Sequence, residues 1–238
     1  MSRNSADKHM EQSERLFVSL AEQLRDAYLQ IARLAELAKW QNDPKAVEHI
    51  AILSQAAMKL TDGYVRAMRG GGGAIEIAAE PVSVASLLYD VELVLRPYAS
   101  QRNVQLEIAA LPKLEPVLCD REFMHSVLVC LGQVFVNAEA AQDSPSAVRL
   151  DAYRTRHGIA AGLYSANTII NSATLRRAKR FFGKVHQPFS LLSSGPVAGV
   201  FVADKLLTSM QAELHVAKHN SFVGLAATLP RCSQIQLV

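Results

Sequence analysis

Residues 17–37 read FVSLAEQLRDAYLQIARLAEL, and their apolar side chains recur every three or four positions. This spacing places them on one face of an α-helix. Asn42-Asp43-Pro44 interrupts the pattern, and proline is favoured at the first position of a new helix. We therefore predict an antiparallel helical hairpin over residues 15–69. Its apolar positions are Leu16, Leu20, Leu24, Ala27, Ile31, Leu34 and Ala38, then Val47, Ile50, Leu53, Ala57, Leu60, Tyr64 and Ala67.

This apolar stripe needs a surface to cover it, because burying one Leu or Ile side chain is worth about 1.5–3 kcal/mol. Two hairpins that pair into a four-helix bundle would supply that surface. We therefore predict a homodimer through the N-terminal hairpin. The alternative is that the stripe packs against the rest of the same chain. The predicted dimer interface consists of Leu16, Leu20, Leu24, Ile31, Leu34, Val47, Ile50, Leu53 and Leu60.

Four consecutive glycines, Gly70 to Gly73, follow the hairpin and predict a flexible hinge between domains. Residues 1–14 are polar and predict a disordered N-terminus. Residues 74–238 alternate between helical and strand patterns, which predicts an α/β sandwich with one mixed sheet and helices on one face. The predicted fold class is α+β, with the helical hairpin preceding the sandwich.

In the second domain we predict helices over residues 84–99, 122–141, 175–182 and 198–210. The predicted strands cover residues 74–77, 103–108, 147–153, 158–164, 213–217 and 222–229.

Composition excludes several classes of function. The formal net charge is +3, which gives no electrostatic basis for binding nucleic acid. The cysteines are three in number and widely spaced, so we expect reduced thiols and no metal site. The N-terminus lacks a signal-peptide pattern, and no apolar run approaches the roughly 18 residues that span a bilayer. We therefore expect a cytoplasmic protein without membrane insertion.

Several motifs together resemble the core of sensor histidine kinases, over residues 17–230. Residues 17–37 resemble the dimerisation and phosphoacceptor helix, whose consensus is F-x-x-x-x-S-H-E-L-R-T-P-L-x-x-I-x-x-x-A-E-L. Residues 77–84 (IAAEPVSV) resemble the stretch that leads into the ATP-binding domain. Pro188-Phe189 resembles the F box, and residues 195–229 resemble the glycine-rich segment with its final helix and hairpin. The resemblance implies a dimerising hairpin followed by an ATP-binding domain of the GHKL type.

The position that matches the phosphoacceptor histidine holds Glu22. Glu22 precedes Leu24 by two residues, about 200° around the helix, so we expect its side chain to face solvent. A carboxylate cannot form the phosphoimidazole that the resemblance implies. Glu22 is either a mimic of the phosphorylated state or an ordinary solvated glutamate.

The ATP-binding motifs are also degraded. Residues 165–169 (SANTI) replace the family's Asp-x-Gly-x-Gly, and residues 195–200 (GPVAGV) replace its glycine-rich phosphate loop. Asn137 resembles an Asn of the magnesium-binding helix; the alternative is that it is only a polar residue that ends the helix. A lost hydrogen bond to a charged group costs about 1.5–3 kcal/mol. We therefore expect no cofactor, and a vestigial nucleotide site formed by Asn137, Ser165, Asn167, Gly195 and Gly199.

These observations predict a non-enzymatic, histidine-kinase-like homodimer that binds a response regulator or a histidine kinase through its hairpin. An alternative is a divergent histidine kinase or histidine phosphotransferase that acts through a relocated residue such as His49. A third hypothesis is that the degenerate pocket holds another ligand. A basic cluster of Arg176, Arg177, Lys179 and Arg180 is either a solvated helix face or a surface for an acidic partner.

Overall fold

A computed structural model describes residues 3–41, 43–71, 77–110, 112–168, 170–181 and 198–232. It describes the backbone alone for residues 3–13, 15, 16, 41, 71, 180 and 181. The helices are α1 (Arg3–Gln41), α2 (Pro44–Gly71), α3 (Val84–Ser100), α4 (Arg121–Ala140), α5 (Ser172–Phe181) and α6 (Ala198–Ser209). The strands are β1 (Glu80–Val82), β2 (Leu106–Ile108), β3 (Val117–Cys119), β4 (Val148–Thr155), β5 (Gly158–Ser165), β6 (Leu214–His219) and β7 (Phe222–Leu229).

Helices α1 and α2 form the hairpin. At the turn, the Asp43 carboxylate accepts a hydrogen bond of 3.0 Å from the Lys45 amide, which satisfies one free N–H at the start of α2. The rings of Phe17 and Tyr64 lie 6.3 Å apart, as an antiparallel pair requires. Helix α1 begins at Arg3, so it includes residues 3–14, for which the sequence pattern predicts disorder.

The glycine run starts inside α2 instead of ending it. Gly70 and Gly71 are helical, whereas Gly72 and Gly73 lie outside the described residues. A β-carbon on Gly70 would lie 2.9 Å from Cε1 of Phe123 on α4. Gly70 is therefore a packing residue that lets α2 approach the second domain, and the hinge predicted at residues 70–73 does not begin there.

The second domain contains a five-stranded mixed sheet with the strand order β2-β4-β5-β7-β6. Strand β2 pairs with β4 in parallel, and the remaining pairs are antiparallel. A separate antiparallel pair, β1 with β3, was not predicted. The predicted strand over residues 103–108 begins only at Leu106, because Asn103 adopts φ 55° in the turn after α3. Of the strand predicted over residues 74–77, only Ile77 is described, and it is not in a strand.

Helix α4 is the centre of the core. Its first turn is capped by Asp120, whose carboxylate accepts from the Phe123 amide at 3.0 Å. It packs against α2, α3, α6 and the sheet. Among the described residues, α4 is one helix whose length and composition would allow it to cross a membrane, but 78% of that stretch is buried inside the protein.

The apolar stripe of the hairpin packs against the second domain. Leu20, Leu53 and Leu60 are buried in the same core cluster as α4 and α6, and Leu24, Ile31 and Leu34 pack at its edge. Gly63 on α2 brings the helices close, because a β-carbon there would lie 2.9 Å from Sγ of Cys130.

This packing bears on the two interpretations of the stripe. Of the residues predicted to form the dimer interface, Leu20, Leu53 and Leu60 are buried by the chain itself, and Leu24, Ile31, Leu34 and Ile50 are half-buried. Val47 has 60% of its surface exposed, and the side chain of Leu16 is not described. The chain itself therefore covers part of the stripe, and the homodimer stays a prediction.

Candidate functional site

The residues predicted to form a nucleotide site lie on two sides of α4. Ser165 ends strand β5 and is completely buried, with Asn167 two residues later. Asn137, near the end of α4, faces the hairpin side of the domain. Gly195 lies outside the described residues, as do Pro188 and Phe189. The structure therefore groups Ser165 with Asn167 and separates both from the contacts of Asn137.

A buried carboxylate, Glu139, occupies the space beside Ser165. Its Oε1 accepts a short hydrogen bond from the Ser165 hydroxyl. Its Oε2 accepts from the Ser146 amide at 2.9 Å, the Ser146 hydroxyl at 3.1 Å and the Asn167 side-chain amide at 3.0 Å. A carboxylate offers about four acceptor positions. Three donors from the chain itself share Oε2, and one uses Oε1.

Glu139 was not among the residues predicted from the sequence, because it belongs to none of the family's motifs. A signal was nevertheless present. Residues 123–136 of α4 are almost all apolar, and a glutamate that continues such a helix needs polar partners when it is buried. We call Glu139, Ser146, Ser165 and Asn167 the Glu139 cluster.

Asn137 is held by two donors on the other side of α4. Its side-chain oxygen accepts from the Tyr98 hydroxyl at 2.8 Å and from Nε of Arg102 at 3.0 Å. Burial raises the pKa of Tyr98, against the opposing charge of Arg102, so the hydroxyl stays protonated and able to donate. A magnesium ligand needs a free oxygen and a negative environment. Asn137 has two donors and an adjacent guanidinium instead.

Gly199 serves helix packing. A β-carbon there would lie 2.7 Å from the Cys130 carbonyl oxygen and 2.8 Å from Cγ2 of Val134. The residue is buried at the contact between α6 and α4, where only glycine permits this approach. This position therefore holds two helices together and does not present bare backbone to a phosphate.

The remaining candidate residues do not form a catalytic group. Glu22 is exposed on α1. His49 on α2 is half-buried, and its backbone carbonyl accepts from the Gln101 side chain at 3.4 Å. The basic cluster is divided, since Lys179 pairs with Asp204 at 2.6 Å while Arg176 and Arg177 are exposed. The described residues contain no group of three or more His, Cys, Asp or Glu side chains that could hold a metal ion.

The sequence matches no protein-family model. It also has no significant match among curated proteins.

Solved structures do resemble it. ShkA in complex with AMPPNP matches 93% of this chain at 17% identity with a TM-score of 0.56, although the chain spans only 46% of ShkA. The histidine kinase ThkA, in complex with the response regulator TrrA, matches 98% of this chain and 67% of its own at 12% identity, with a TM-score of 0.54. The Acinetobacter baumannii histidine kinase AdeS matches 87% of this chain and 96% of its own at 9% identity, with a TM-score of 0.53.

At these identities the similarity concerns the fold. It covers both the hairpin and the mixed-sheet domain, in the order in which they occur here. The chain therefore has the fold of the histidine kinase core, an N-terminal pair of helices followed by an α/β domain with a mixed sheet.

Proposed function

We propose that this chain is a non-catalytic, histidine-kinase-like regulatory protein that acts by binding partners of two-component signalling. The observation that carries the proposal is the Glu139 cluster. Ser165 stands at the position that the resemblance gives to an adenine-binding carboxylate, and it is buried and hydrogen-bonded to Glu139. An adenine amine would have to displace one of four internal donors from Glu139. That exchange replaces a hydrogen bond already made to a charged group, so it yields little net affinity.

The other elements of phosphoryl chemistry point the same way. Glu22 stands where a nucleophilic imidazole is needed, and a carboxylate there cannot carry a stable phosphoimidazole. The Asn137 oxygen is engaged by Tyr98 and Arg102. These defects lie at separate places, so their effects on productive ATP binding add approximately.

The hairpin supplies the proposed binding surface. Val18, Leu29 and Trp40 are exposed on α1, and their spacing of eleven residues puts them on one face. Glu22 lies on that face as well, four residues after Val18. A second exposed row on α2 consists of Val47, Met58 and Val65. These exposed apolar side chains are the surfaces that we propose bind protein partners.

We propose that the α2 row and its surroundings pair with a second copy, and that the α1 face around Glu22 meets a response regulator or a histidine kinase. ThkA is in complex with the response regulator TrrA, which supports this type of partner for the fold. Light scattering tests the homodimer. The intact chain should have twice the monomer mass, and Met58→Glu should shift it to the monomer. A monomeric wild-type chain would contradict the homodimer.

Labelling separates the non-catalytic proposal from a divergent kinase or phosphotransferase. The chain is incubated with γ-labelled ATP and Mg²⁺, and separately with a phosphorylated receiver domain, and then tested for acid-labile phosphate. We expect no label in either reaction. Label that maps to His49, and is lost in His49→Gln, would establish the phosphotransferase alternative instead.

A further inference from the structure

A cavity of about 650 Å³ lies between the hairpin and the second domain. Helices α1 and α2 form one wall, and the C-terminal parts of α3 and α4 form the other. Its volume is within the range of about 300–1,000 Å³ that is typical of sites for small organic ligands. The cavity is distinct from the Glu139 cluster, which contacts β5 and the loop before β4.

The two walls differ in chemistry. The hairpin contributes leucine and alanine side chains, among them Leu24, Leu34, Leu53 and Ala57, together with polar side chains such as Gln23 and Gln30. The opposite wall presents Tyr98, Arg102, Asn137 and Gln133. A ligand that fits both walls therefore has an apolar body and one polar end.

Arg102 is fixed in place on the polar wall. Its guanidinium lies 3.8 Å above the Tyr98 ring, its Nε donates to Asn137 at 3.0 Å, and its Nη1 donates to the Gln101 side chain at 3.3 Å. All three partners are uncharged. Among the described residues Arg102 makes no ion pair, although most other arginines near carboxylates do.

The charges around the cavity favour an anion. Arg102 and Arg33 line it, against one carboxylate, Asp26, which lies 3.8 Å from the guanidinium of Arg25. A preorganised guanidinium without a counter-ion, placed beside apolar surface, binds an anionic head group through charge-assisted hydrogen bonds.

We propose that this cavity binds a small amphipathic anion, with its anionic head on Arg102 and its apolar body against the hairpin leucines. The proposal goes beyond the proposed function, because it requires neither a nucleotide nor a protein partner. Since the hairpin and the domain each supply one wall, such a ligand stabilises their present arrangement over any in which they separate.

The test uses the fluorescent anion 1-anilinonaphthalene-8-sulfonate and its uncharged counterpart N-phenyl-1-naphthylamine, titrated into the intact chain. We expect saturable binding of the anion at one site, and binding of the neutral probe at least tenfold weaker. Arg102→Gln should weaken the anion by about ten- to a hundredfold, the value of one hydrogen bond to a charged group. Arg176→Gln removes the same charge from an exposed position and should leave the affinity unchanged.

Ala57→Phe provides a second variant that keeps the guanidinium and fills the cavity, and it should reduce binding of both probes at least tenfold. It decides the question if Arg102→Gln does not fold. Equal affinity of the two probes, or unchanged affinity in Arg102→Gln or Ala57→Phe, would overturn the proposal. Displacement of the anion by micromolar Mg-ATP would also overturn it, by identifying the cavity as a nucleotide site.

Discussion

Replacing Glu139 with alanine is the most direct perturbation of the Glu139 cluster. The substitution removes the acceptor of four hydrogen bonds. Some partners remain: Asn167 still donates one amide hydrogen to the Ser144 carbonyl at 3.0 Å, and one of the Ser146 and Ser165 hydroxyls can donate to the other at 3.0 Å. The Ser146 amide, one hydroxyl hydrogen and the second Asn167 amide hydrogen lose their partners.

Each buried donor left without an acceptor costs about 1–3 kcal/mol. We therefore expect Glu139→Ala to lower the free energy of unfolding by about 3–4 kcal/mol. Glu139→Gln keeps one oxygen for the three donors at Oε2 and lets its amide donate to the Ser165 hydroxyl. Its expected loss is about 1 kcal/mol, so the two variants should differ clearly.

Urea denaturation followed by circular dichroism measures both losses. With a slope of about 2 kcal/mol per molar, Glu139→Ala should lower the midpoint by about 1.5–2 M. Glu48→Ala, at an exposed position on α2, is the matched control and should change stability by less than about 0.5 kcal/mol. If Glu139→Ala remained within about 1 kcal/mol of the wild type, the cluster would not be the polar anchor described here.

Three further predictions concern the core. Burial raises the pKa of Cys119 to about 11 and of Cys130 to about 12. At pH 8 only Cys232 should therefore react rapidly with Ellman's reagent in the folded chain, and rapid reaction of more than one thiol would contradict this. Burial and a neighbouring lysine lower the pKa of His125 in the folded chain. Protonation of His125 therefore favours the unfolded chain. The free energy of unfolding is at its full value above the unfolded pKa of about 6.5 and falls as the pH decreases from there through the lower folded pKa. His125→Gln should therefore reduce the drop in urea midpoint between pH 7 and pH 5, and an unchanged drop would refute the assignment. Gly199→Val places a β-carbon 2.7 Å from a carbonyl oxygen of α4, so it should destabilise the chain by about 3 kcal/mol or more. Thermal melting measures the loss. A variant as stable as the wild type would show that α6 does not need this close contact with α4.

The sequence predicted the regular elements well wherever periodicity was strong. Helices over residues 84–99 and 122–141 were confirmed within one residue at each end. The final hairpin around Asn220 and Ser221 was also confirmed, although its first strand extends two residues further than predicted, to His219. Strands β1 and β3 were missed because three residues are too few to show an alternating pattern.

Other features depend on tertiary contacts that no local pattern reports. Periodicity showed that the hairpin has a buried face, but whether another copy or the same chain covers it depends on the packing of Leu20, Leu53 and Leu60 against α4 and α6. Gly70 and Gly199 were assigned to a hinge and to a phosphate loop. A glycine also permits close helix packing, and both positions are used in that way.

The candidate site shows the same limit. The degraded motifs at Glu22 and at residues 165–169 were visible in the sequence, because they are local departures from a known pattern. The contact of Glu139 with Ser165 was not visible, since it joins α4 to the end of β5 across 26 positions of the chain.

Isothermal titration of the intact chain with ATP in the presence of Mg²⁺ measures the central claim most directly. If Ser165 and Glu139 bind each other, and Tyr98 and Arg102 engage Asn137, as proposed, ATP lacks the groups that it needs. No saturable heat should then appear up to millimolar nucleotide. A dissociation constant in the micromolar range would contradict that account.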